Sequence, residues 1–196
     1  MSSVNDSLSI FHYHRYMIAM YGNDSSHALG WRDEQSQAIR FKALAGLADM
    51  NGHSVLDAGC GYGDFRQLFP GMTYIGIEQI PELLDEAVNR YGNWPDTTFM
   101  SGNFNIIDLL TSDYVVASGS LNYLSEDPGY IFKAIARLFK NCKIGFGFNL
   151  LSKVKPNDLI VAYDPVQIMA YCKSVCREVK MINDYDVEDF TVYMYK

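Results

Sequence analysis

The pattern of apolar and polar positions along the chain changes near residue 50. Beyond that point, short apolar runs typical of buried strands alternate with longer segments whose apolar residues recur every three or four positions, as in amphipathic helices. This alternation predicts a parallel α/β sheet. In chain order the predicted elements are strand 54–56, helix 64–69, strand 74–77, helix 81–91, strand 98–100, strand 114–118, helix 128–140, strand 143–148, helix 164–176, strand 178–182 and strand 190–195.

The first 50 residues have a different pattern. Residues 10–21 carry aromatic and apolar side chains at mixed spacing, whereas residues 33–50 have the spacing of an amphipathic helix. A chain of 196 residues is long enough to bury one hydrophobic core. We therefore predict a single domain over residues 1–196, with a helical N-terminal cap at 1–50 and a ligand-binding sheet core at 51–196.

The first predicted strand leads into a loop with Gly59, Gly61 and Gly63. Glycine tolerates positive φ and leaves room for a ligand to approach main-chain N–H groups. A dinucleotide fingerprint, G-x-G-x-x-G, requires a third glycine where this chain has Asp64. The Lys-Ser or Lys-Thr pair of a phosphate-binding P-loop is also absent from this loop. The loop is therefore predicted to bind a ligand that is not held by phosphates.

Two carboxylates end the first two predicted strands. Asp57 ends the first, and Glu78 follows it by 21 residues at the end of the second. An ionised carboxylate has two oxygens spaced to accept hydrogen bonds from a cis-diol. Each feature alone has a plainer interpretation, since a glycine-rich connection can be a tight turn and a glutamate after a strand is usually solvated. Together, at this separation, they favour a ligand-binding site.

These residues resemble motif I of the class I S-adenosylmethionine-dependent methyltransferases, D/E-x-G-x-G-x-G, which Asp57, Gly59, Gly61 and Gly63 match in full. The resemblance extends over roughly residues 35–196. It implies a doubly wound, Rossmann-like, mostly parallel sheet of seven strands, the last of them antiparallel and inserted between the fifth and sixth. It also implies S-adenosylmethionine as cofactor and S-adenosylhomocysteine as product.

By this resemblance, the loops after the first three strands and the start of the loop after the fourth are expected to hold the cofactor. Asp57 is expected near its amino group, the glycine backbone along its methionine portion, and Glu78 at both ribose hydroxyls. Asn103, in place of the commoner Asp, is expected at the adenine amine, with Phe104 against the ring. The expected cofactor-binding residues are Asp57, Gly59, Cys60, Gly61, Gly63, Glu78, Gln79, Asn103, Phe104, Ser118 and Gly119.

The loop after the fourth predicted strand, residues 117–123, is expected to line the site of methyl transfer. It contains neither D/N-P-P-Y/F, the signature of amino methylation in nucleic acids, nor Pro-Cys, the motif of cytosine carbon methylation. Its neutral polar side chains suit a small acceptor, although they equally suit a turn whose backbone they satisfy. No residue stands out as a catalytic base. The expected acceptor-side residues are Tyr13, Tyr16, Trp31, Ser120, Asn122 and Tyr123.

Residues 28–41, which begin Ala-Leu-Gly-Trp, are similar to the leader of a subgroup of small bacterial-type methyltransferases, as are the segments 184–185 and 189–191. The subgroup has no established acceptor, so this similarity adds no substrate. Arg40 within the leader has two interpretations. It can pair with the methionine carboxylate of the cofactor, or it can be an ordinary solvent-facing helix residue, which is the favoured interpretation.

The charge balance bears on partners and location. Sixteen basic and 23 acidic residues give a net charge of −7, and the charges are scattered, which disfavours a nucleic-acid substrate. The N-terminus lacks the basic region and apolar core of a signal peptide, and no apolar run reaches the length of a transmembrane helix. We expect a cytoplasmic protein with no membrane or nucleic-acid partner.

The cysteines and histidines predict no metal site. Four cysteines in a chain without a secretion signal do not make a disulfide framework. Cys172 and Cys176 lie four residues apart on a predicted helix, but no second pair of ligands follows at a metal-site spacing. The four histidines show no such spacing either.

The sequence as a whole therefore predicts an S-adenosylmethionine-dependent methyltransferase that acts on a small-molecule acceptor by in-line methyl transfer. The alternative is a non-catalytic sensor or partner subunit that binds the same cofactor. A nicotinamide-dependent oxidoreductase is a third interpretation, and Asp64 in place of the third glycine disfavours it.

Overall fold

The computed structural model describes residues 4–155 and 159–196. Its helices are α1 (Val4–Tyr21), α2 (Glu34–Ala45), α3 (Pro81–Tyr91), α4 (Tyr130–Lys140) and α5 (Pro165–Val175), and two 3₁₀ helices span Ser26–Leu29 and Asp64–Leu68. Its strands are β1 (Ser54–Ala58), β2 (Thr73–Glu78), β3 (Thr97–Ser101), β4 (Ser112–Ala117), β5 (Cys142–Leu151), β6 (Glu178–Ile182) and β7 (Asp189–Tyr195).

These seven strands form one sheet in the order β3-β2-β1-β4-β5-β7-β6. The pairs among β1 to β5 are parallel, whereas β7 is antiparallel to both β5 and β6. The predicted sheet of seven strands, with the last inserted between the fifth and sixth, is confirmed.

Both faces of the sheet are buried. Neighbouring residues of a strand point to opposite faces, so Leu56 and Val55 of β1 enter different cores. Leu56 packs in the cluster that contains Ile135 of α4, and Val55 packs in the cluster that contains Leu44 of α2. Helices on both sides explain why the parallel strands read as continuous apolar runs in the sequence.

Several elements differ in extent from the sequence prediction. Strand β5 continues to Leu151, past the predicted end at 148, because its last residues pair with β7. The predicted helix 33–50 ends at Ala45 and the chain turns at Gly46, although Leu47 beyond the turn remains buried. The predicted helix 64–69 is a 3₁₀ helix, and α4 begins at Tyr130 rather than at 128.

The N-terminal segment lies over the carboxyl ends of the strands. Ile10 of α1 and Ala28 of the first 3₁₀ helix pack with Tyr62, Ile80 and Leu83, which come from the loops after β1 and β2 and from α3. The segment therefore covers the edge at which open α/β sheets bind ligands. Across residues 4–155 and 159–196, no helix has the length and apolar character needed to cross a membrane.

Candidate functional site

A cavity of about 450 Å³ lies where the carboxyl ends of β1 to β5 meet the N-terminal segment. The loops after β1 and β4 diverge there, which creates the crevice that this sheet topology provides. Most of the predicted site residues line it: Asp57, Gly59, Cys60, Gly61, Glu78, Gln79, Asn103, Phe104, Ser118, Gly119, Tyr13, Trp31, Ser120, Asn122 and Tyr123.

Gly63 and Tyr16 are the predicted site residues that do not line this cavity. The N–H of Gly63 donates to the carbonyl of Cys60 at 2.9 Å, and Gly63 precedes the second 3₁₀ helix. Gly63 thus stabilises the loop through its backbone without lining the cavity. Tyr16 lies on the outer side of α1, with 60% of its surface exposed, away from any ligand in this cavity.

Glu78 holds the glycine loop in place. Its Oε2 accepts from the N–H of Gly61 at 2.9 Å, and its Oε1 accepts from the N–H groups of Gln79 and Ile80 at 2.7 and 2.9 Å. Burial raises the pKa of Glu78, while these three hydrogen bonds oppose the rise. A carboxylate has about four lone-pair positions, so one remains to accept from a ligand hydroxyl.

Asp57 is a buried carboxylate, and one of its two oxygens accepts a hydrogen bond within the protein. Its Oδ2 accepts from the Tyr74 hydroxyl at 2.7 Å. Burial raises the pKa of Asp57 to about 7; the Tyr74 hydrogen bond lowers it, and the charges of Glu78 and Asp64 raise it further. A cationic ligand group in contact with the other oxygen would favour the ionised form, so the site suits an ammonium group.

Cys60 forms part of the cavity wall as a buried thiol. Burial raises the pKa of Cys60 well above its ordinary value, so the sulfur stays protonated and is not a nucleophile. All four cysteines are free and buried. Within the part of the chain that the structure describes, no group of three or more His, Cys, Asp or Glu side chains is placed to hold a metal ion.

Asn103 uses its amide within the protein. Its Oδ1 accepts from the N–H of Asn105 at 2.9 Å, and its Nδ2 donates to Ser7 of α1 at 3.3 Å. An amide oxygen has two lone pairs, so one stays available to a ligand. Phe104 is 7% exposed and lies beside Gly59, where its ring forms a flat apolar wall.

The N-terminal segment makes close contact with the two glycine-containing loops. Gly61 has φ +56°, and a Cβ on it would stand 2.7 Å from Cδ2 of Leu29. Gly119 has φ +71°, and a Cβ on it would stand 2.5 Å from the Trp31 ring. Glycine is needed at both positions, because it tolerates the positive φ and leaves room for the covering side chain.

Ser120 and Asn122 hold the cavity walls together. The Ser120 hydroxyl donates to the carbonyl of Ala58. The Asn122 Nδ2 donates to the carbonyl of Val161 at 2.8 Å, and its Oδ1 accepts from the N–H of Leu151 at 3.3 Å. These bonds favour the plainer interpretation of both residues, in which their side chains satisfy backbone groups.

Ser118 begins a chain of polar side chains that crosses the sheet. Its hydroxyl donates to Oδ1 of Asn149 at 2.8 Å, and Nδ2 of Asn149 donates to Oγ1 of Thr191 at 2.7 Å. The Tyr185 hydroxyl shares a hydrogen bond of 2.8 Å with the same Oγ1. Asn149 and Thr191 are buried, so this chain fixes the relative positions of the β4 loop, β5 and β7.

The favoured interpretation of Arg40, as an ordinary solvent-facing helix residue, is wrong because most of its side chain is buried. Only 11% of its side chain is exposed, and its guanidinium forms an ion pair with Asp189. The guanidinium also lies 5.3 Å from the centre of the Trp31 ring. Burial raises the pKa of Asp189 to about 6, and the charge of Arg40 opposes the rise. The helix turns Arg40 inward because Asp189 gives it a buried partner.

His14 lines the cavity although the sequence alone predicts no role for it. It is 5% exposed; its Nδ1 lies 2.8 Å from the carbonyl oxygen of Ala28, and its Nε2 lies 2.7 Å from the Tyr123 hydroxyl. The sequence does contain a signal for it. Asp6, Ile10 and His14 recur every four residues along α1, and all three are buried.

A protein-family model described as a methyltransferase domain matches residues 56–146. The matched segment runs from β1 to β5 and contains Asp57, the glycine loop and Glu78. No curated protein matches the chain.

Solved methyltransferase structures share the fold. The 1,6-didemethyltoxoflavin-N1-methyltransferase of Burkholderia thailandensis, solved with 1,6-didemethyltoxoflavin and S-adenosylhomocysteine bound, is 13% identical with a TM-score of 0.71, over 100% of this chain and 91% of that one. The magnesium protoporphyrin IX methyltransferase of Synechocystis PCC 6803, solved with S-adenosylmethionine bound, is 16% identical with a TM-score of 0.68, over 100% and 99%. Human N-acetylserotonin methyltransferase is 15% identical with a TM-score of 0.62, over 81% and 52%.

Proposed function

We propose that this chain is a class I S-adenosylmethionine-dependent methyltransferase and that it transfers the sulfonium methyl group of its cofactor to a small-molecule acceptor. The observation that carries this proposal is the division of one cavity between two sets of loops. The loops after β1, β2 and β3 form one end, and the loops after β4 and β5 form the other with the N-terminal segment.

The end formed by β1 to β3 has the groups that the cofactor requires. In the proposed complex, the free oxygen of Asp57 binds the ammonium group and the remaining lone pair of Glu78 accepts from one ribose hydroxyl. Phe104 covers the adenine ring, and Asn103 offers an oxygen lone pair to its amine. Glu78 therefore acts twice, since it also holds Gly61 in the loop.

The other end of the cavity suits a small acceptor. Trp31, Leu151 and Ile160 provide apolar surface there, and Tyr123 and Lys153 add polar groups. A largely apolar cleft with a few placed polar groups is typical of small-molecule sites. The names of two of the solved neighbours, which refer to 1,6-didemethyltoxoflavin and N-acetylserotonin, support the same acceptor class.

The proposed reaction is an in-line displacement at the methyl carbon. The sulfonium is already activated, so the protein supplies orientation and a site with little water. Leu29 and Trp31 lie over the two glycine-containing loops, where they would exclude water from the reacting groups.

Calorimetric titration with S-adenosylhomocysteine, followed by turnover of S-adenosylmethionine in a protein-free metabolite extract, tests the proposal. We expect binding, release of S-adenosylhomocysteine and a product one methylene heavier than a metabolite of the extract. An Asp57→Ala variant is the matched control and should lose both. Binding without turnover in any extract would favour a sensor or partner subunit, and absence of binding would overturn both functions.

Nucleic acid is not expected as the acceptor. The net charge of −7 opposes association with a phosphate backbone. We expect no labelled methyl groups in DNA incubated with the protein and labelled S-adenosylmethionine, whereas labelled DNA would overturn the small-acceptor proposal.

A further inference from the structure

Both ring nitrogens of the His14 imidazole form hydrogen bonds within the protein. Its Nδ1 is 2.8 Å from the Ala28 carbonyl oxygen and its Nε2 is 2.7 Å from the Tyr123 hydroxyl. A carbonyl oxygen can only accept a hydrogen bond. The Nδ1 atom of His14 therefore carries a hydrogen and donates it to Ala28.

The environment of His14 determines what its second nitrogen does. The ring is buried, and burial lowers the pKa of His14, although the hydrogen bond to Ala28 opposes the shift. The titratable side chains packed around it are Tyr13, with ring centres 5.1 Å apart, and Tyr123, with ring centres 5.9 Å apart. Glu78 and Tyr130 act electrostatically on Tyr123. Neutral His14 has a lone pair on Nε2, so the Tyr123 hydroxyl donates to it.

This bond direction sets the polarity of the acceptor end of the cavity. The only hydrogen of the Tyr123 hydroxyl is directed at His14, so its oxygen can offer only lone pairs to a ligand. Lone pairs attract an O–H or N–H group and repel a carboxylate. Both His14 and Tyr123 line the cavity, so a ligand there can meet this oxygen.

We propose that Tyr123 and His14 form a proton relay, and that the methyl acceptor is a neutral molecule whose nucleophilic oxygen or nitrogen carries a hydrogen. This inference rests on the proposed function. As the methyl carbon leaves the sulfonium and bonds to the nucleophile, the nucleophile's proton passes to the Tyr123 oxygen and the Tyr123 proton passes to Nε2 of His14. The sulfur keeps the electron pair of the broken bond and becomes a neutral thioether. The imidazolium returns its proton to water after product release.

The same helix offers a control that separates the proposed relay from a purely structural role of His14. Asp6 of α1 accepts from the Ser125 hydroxyl at 2.7 Å and from the N–H of Glu126 at 3.1 Å. This contact joins α1 to the same loop as the His14–Tyr123 bond, but it lies outside the cavity lining. A Ser125→Ala variant therefore loosens the same two elements without changing the relay.

The first experiment needs no acceptor. Two-dimensional NMR of histidine-¹⁵N-labelled protein, with the His14→Gln variant used to assign the signal, reports which ring nitrogen carries the hydrogen. We expect the neutral Nδ1–H form at pH 7. The Nε2–H form, or an imidazolium at pH 7, would overturn the relay.

The second experiment compares phenol with benzoate as probes in the presence of saturating S-adenosylhomocysteine. Both probes contain a benzene ring. Phenol is neutral and has an O–H group that can donate a hydrogen bond, whereas benzoate carries a negative charge and can only accept. We expect phenol to bind at least about tenfold more tightly, the preference to fall in Tyr123→Phe, and Ser125→Ala to behave like the parent. An equal or tighter benzoate affinity, an unchanged preference in Tyr123→Phe, or no phenol binding up to its solubility limit would each overturn the inference. Binding of S-adenosylhomocysteine alone reports on the proposed function, so the two can fail separately.

Discussion

Arg40 and Asp189 form a buried ion pair that joins α2 to the first residue of β7. Only 11% of the Arg40 side chain and 2% of the Asp189 side chain are exposed. The pair therefore fixes the N-terminal cap to the C-terminal strand at the cavity, where both residues line the wall.

Replacing Arg40 by Met should destabilise the protein by about 3–5 kcal/mol, because it leaves the Asp189 carboxylate buried without a partner. Urea unfolding measures the change. Arg32→Met is the control, since Arg32 pairs with Asp33 on the surface and should cost less than about 1 kcal/mol. A double Arg40→Met, Asp189→Asn variant should recover part of the loss. Equal effects of the two single substitutions would contradict the role of the buried pair.

Asp57 should make stability depend on pH. Burial raises the pKa of Asp57 to about 7, against an ordinary value of 3.8. For a carboxyl group with a raised pKa in the folded state, the stabilisation is complete below pH 3.8 and is lost as the pH rises towards 7. From pH 5 to pH 8, the free energy of unfolding of the parent should therefore fall relative to Asp57→Asn, by at most about 3 kcal/mol. Parallel profiles would show that Asp57 titrates normally.

The Glu78→Gln substitution should weaken cofactor binding at least about tenfold. A glutamine has one accepting oxygen, so its amide group faces a loop N–H that Glu78 now accepts from. Calorimetry with S-adenosylhomocysteine measures the loss, and Glu34→Gln, an exposed residue at the start of α2, controls for the change in charge. An unchanged dissociation constant in the folded Glu78→Gln protein would exclude Glu78 from the site.

The Gly119→Ala substitution should destabilise the protein through two effects. The φ of +71° strains any residue with a Cβ, and that Cβ would collide with the Trp31 ring. Gly52→Ala isolates the strain, because Gly52 has φ +78° and its Cβ would meet no other described part of the chain within 4 Å. Strain alone costs about 1–2 kcal/mol, so urea unfolding should show a larger loss for Gly119→Ala. Removing the ring with Trp31→Ala should reduce that difference, and equal losses would contradict the close contact.

Strand β7 should be indispensable because it lies between β5 and β6. Val192 is fully buried there, and Val192→Asp, like deletion of residues 190–196, should abolish the cooperative thermal transition. Val187→Asp is the control, since Val187 is 85% exposed. A Val192→Asp protein that melts cooperatively and binds S-adenosylhomocysteine would show that β7 is peripheral.

The end of the cavity that the loops after β1, β2 and β3 form could be predicted from the sequence because its residues are encoded locally. Asp57, the glycines that follow and Glu78 each stand at a strand end, and parallel strands bring their carboxyl ends to one edge of the sheet. The same logic places Asn103 and Ser118. The positions of the strand ends do not predict the hydrogen-bond partners of these residues. An example is the set of three N–H groups that donate to the Glu78 carboxylate.

The other end of the cavity, where we propose that the acceptor binds, depends on contacts between distant parts of the chain. Arg40 meets a residue of β7, and His14 meets the loop after β4. No local pattern specifies such pairings, which is why the sequence alone favours a solvent-facing Arg40 and gives His14 no role. Only the four-residue spacing of Asp6, Ile10 and His14 marks the buried side of α1 in advance.

The insertion of β7 also has a consequence for biosynthesis. Strand β5 ends at Leu151, and its partner β7 begins only at Asp189. Strand β6 is made before β7, which is its neighbour in the sheet. As the ribosome synthesises the chain, the edge of β5 and the edge of β6 that pair with β7 stay open until β7 emerges. An open strand edge is a template for pairing with another chain, so this interval is when the nascent protein is most exposed to aggregation and most dependent on chaperones.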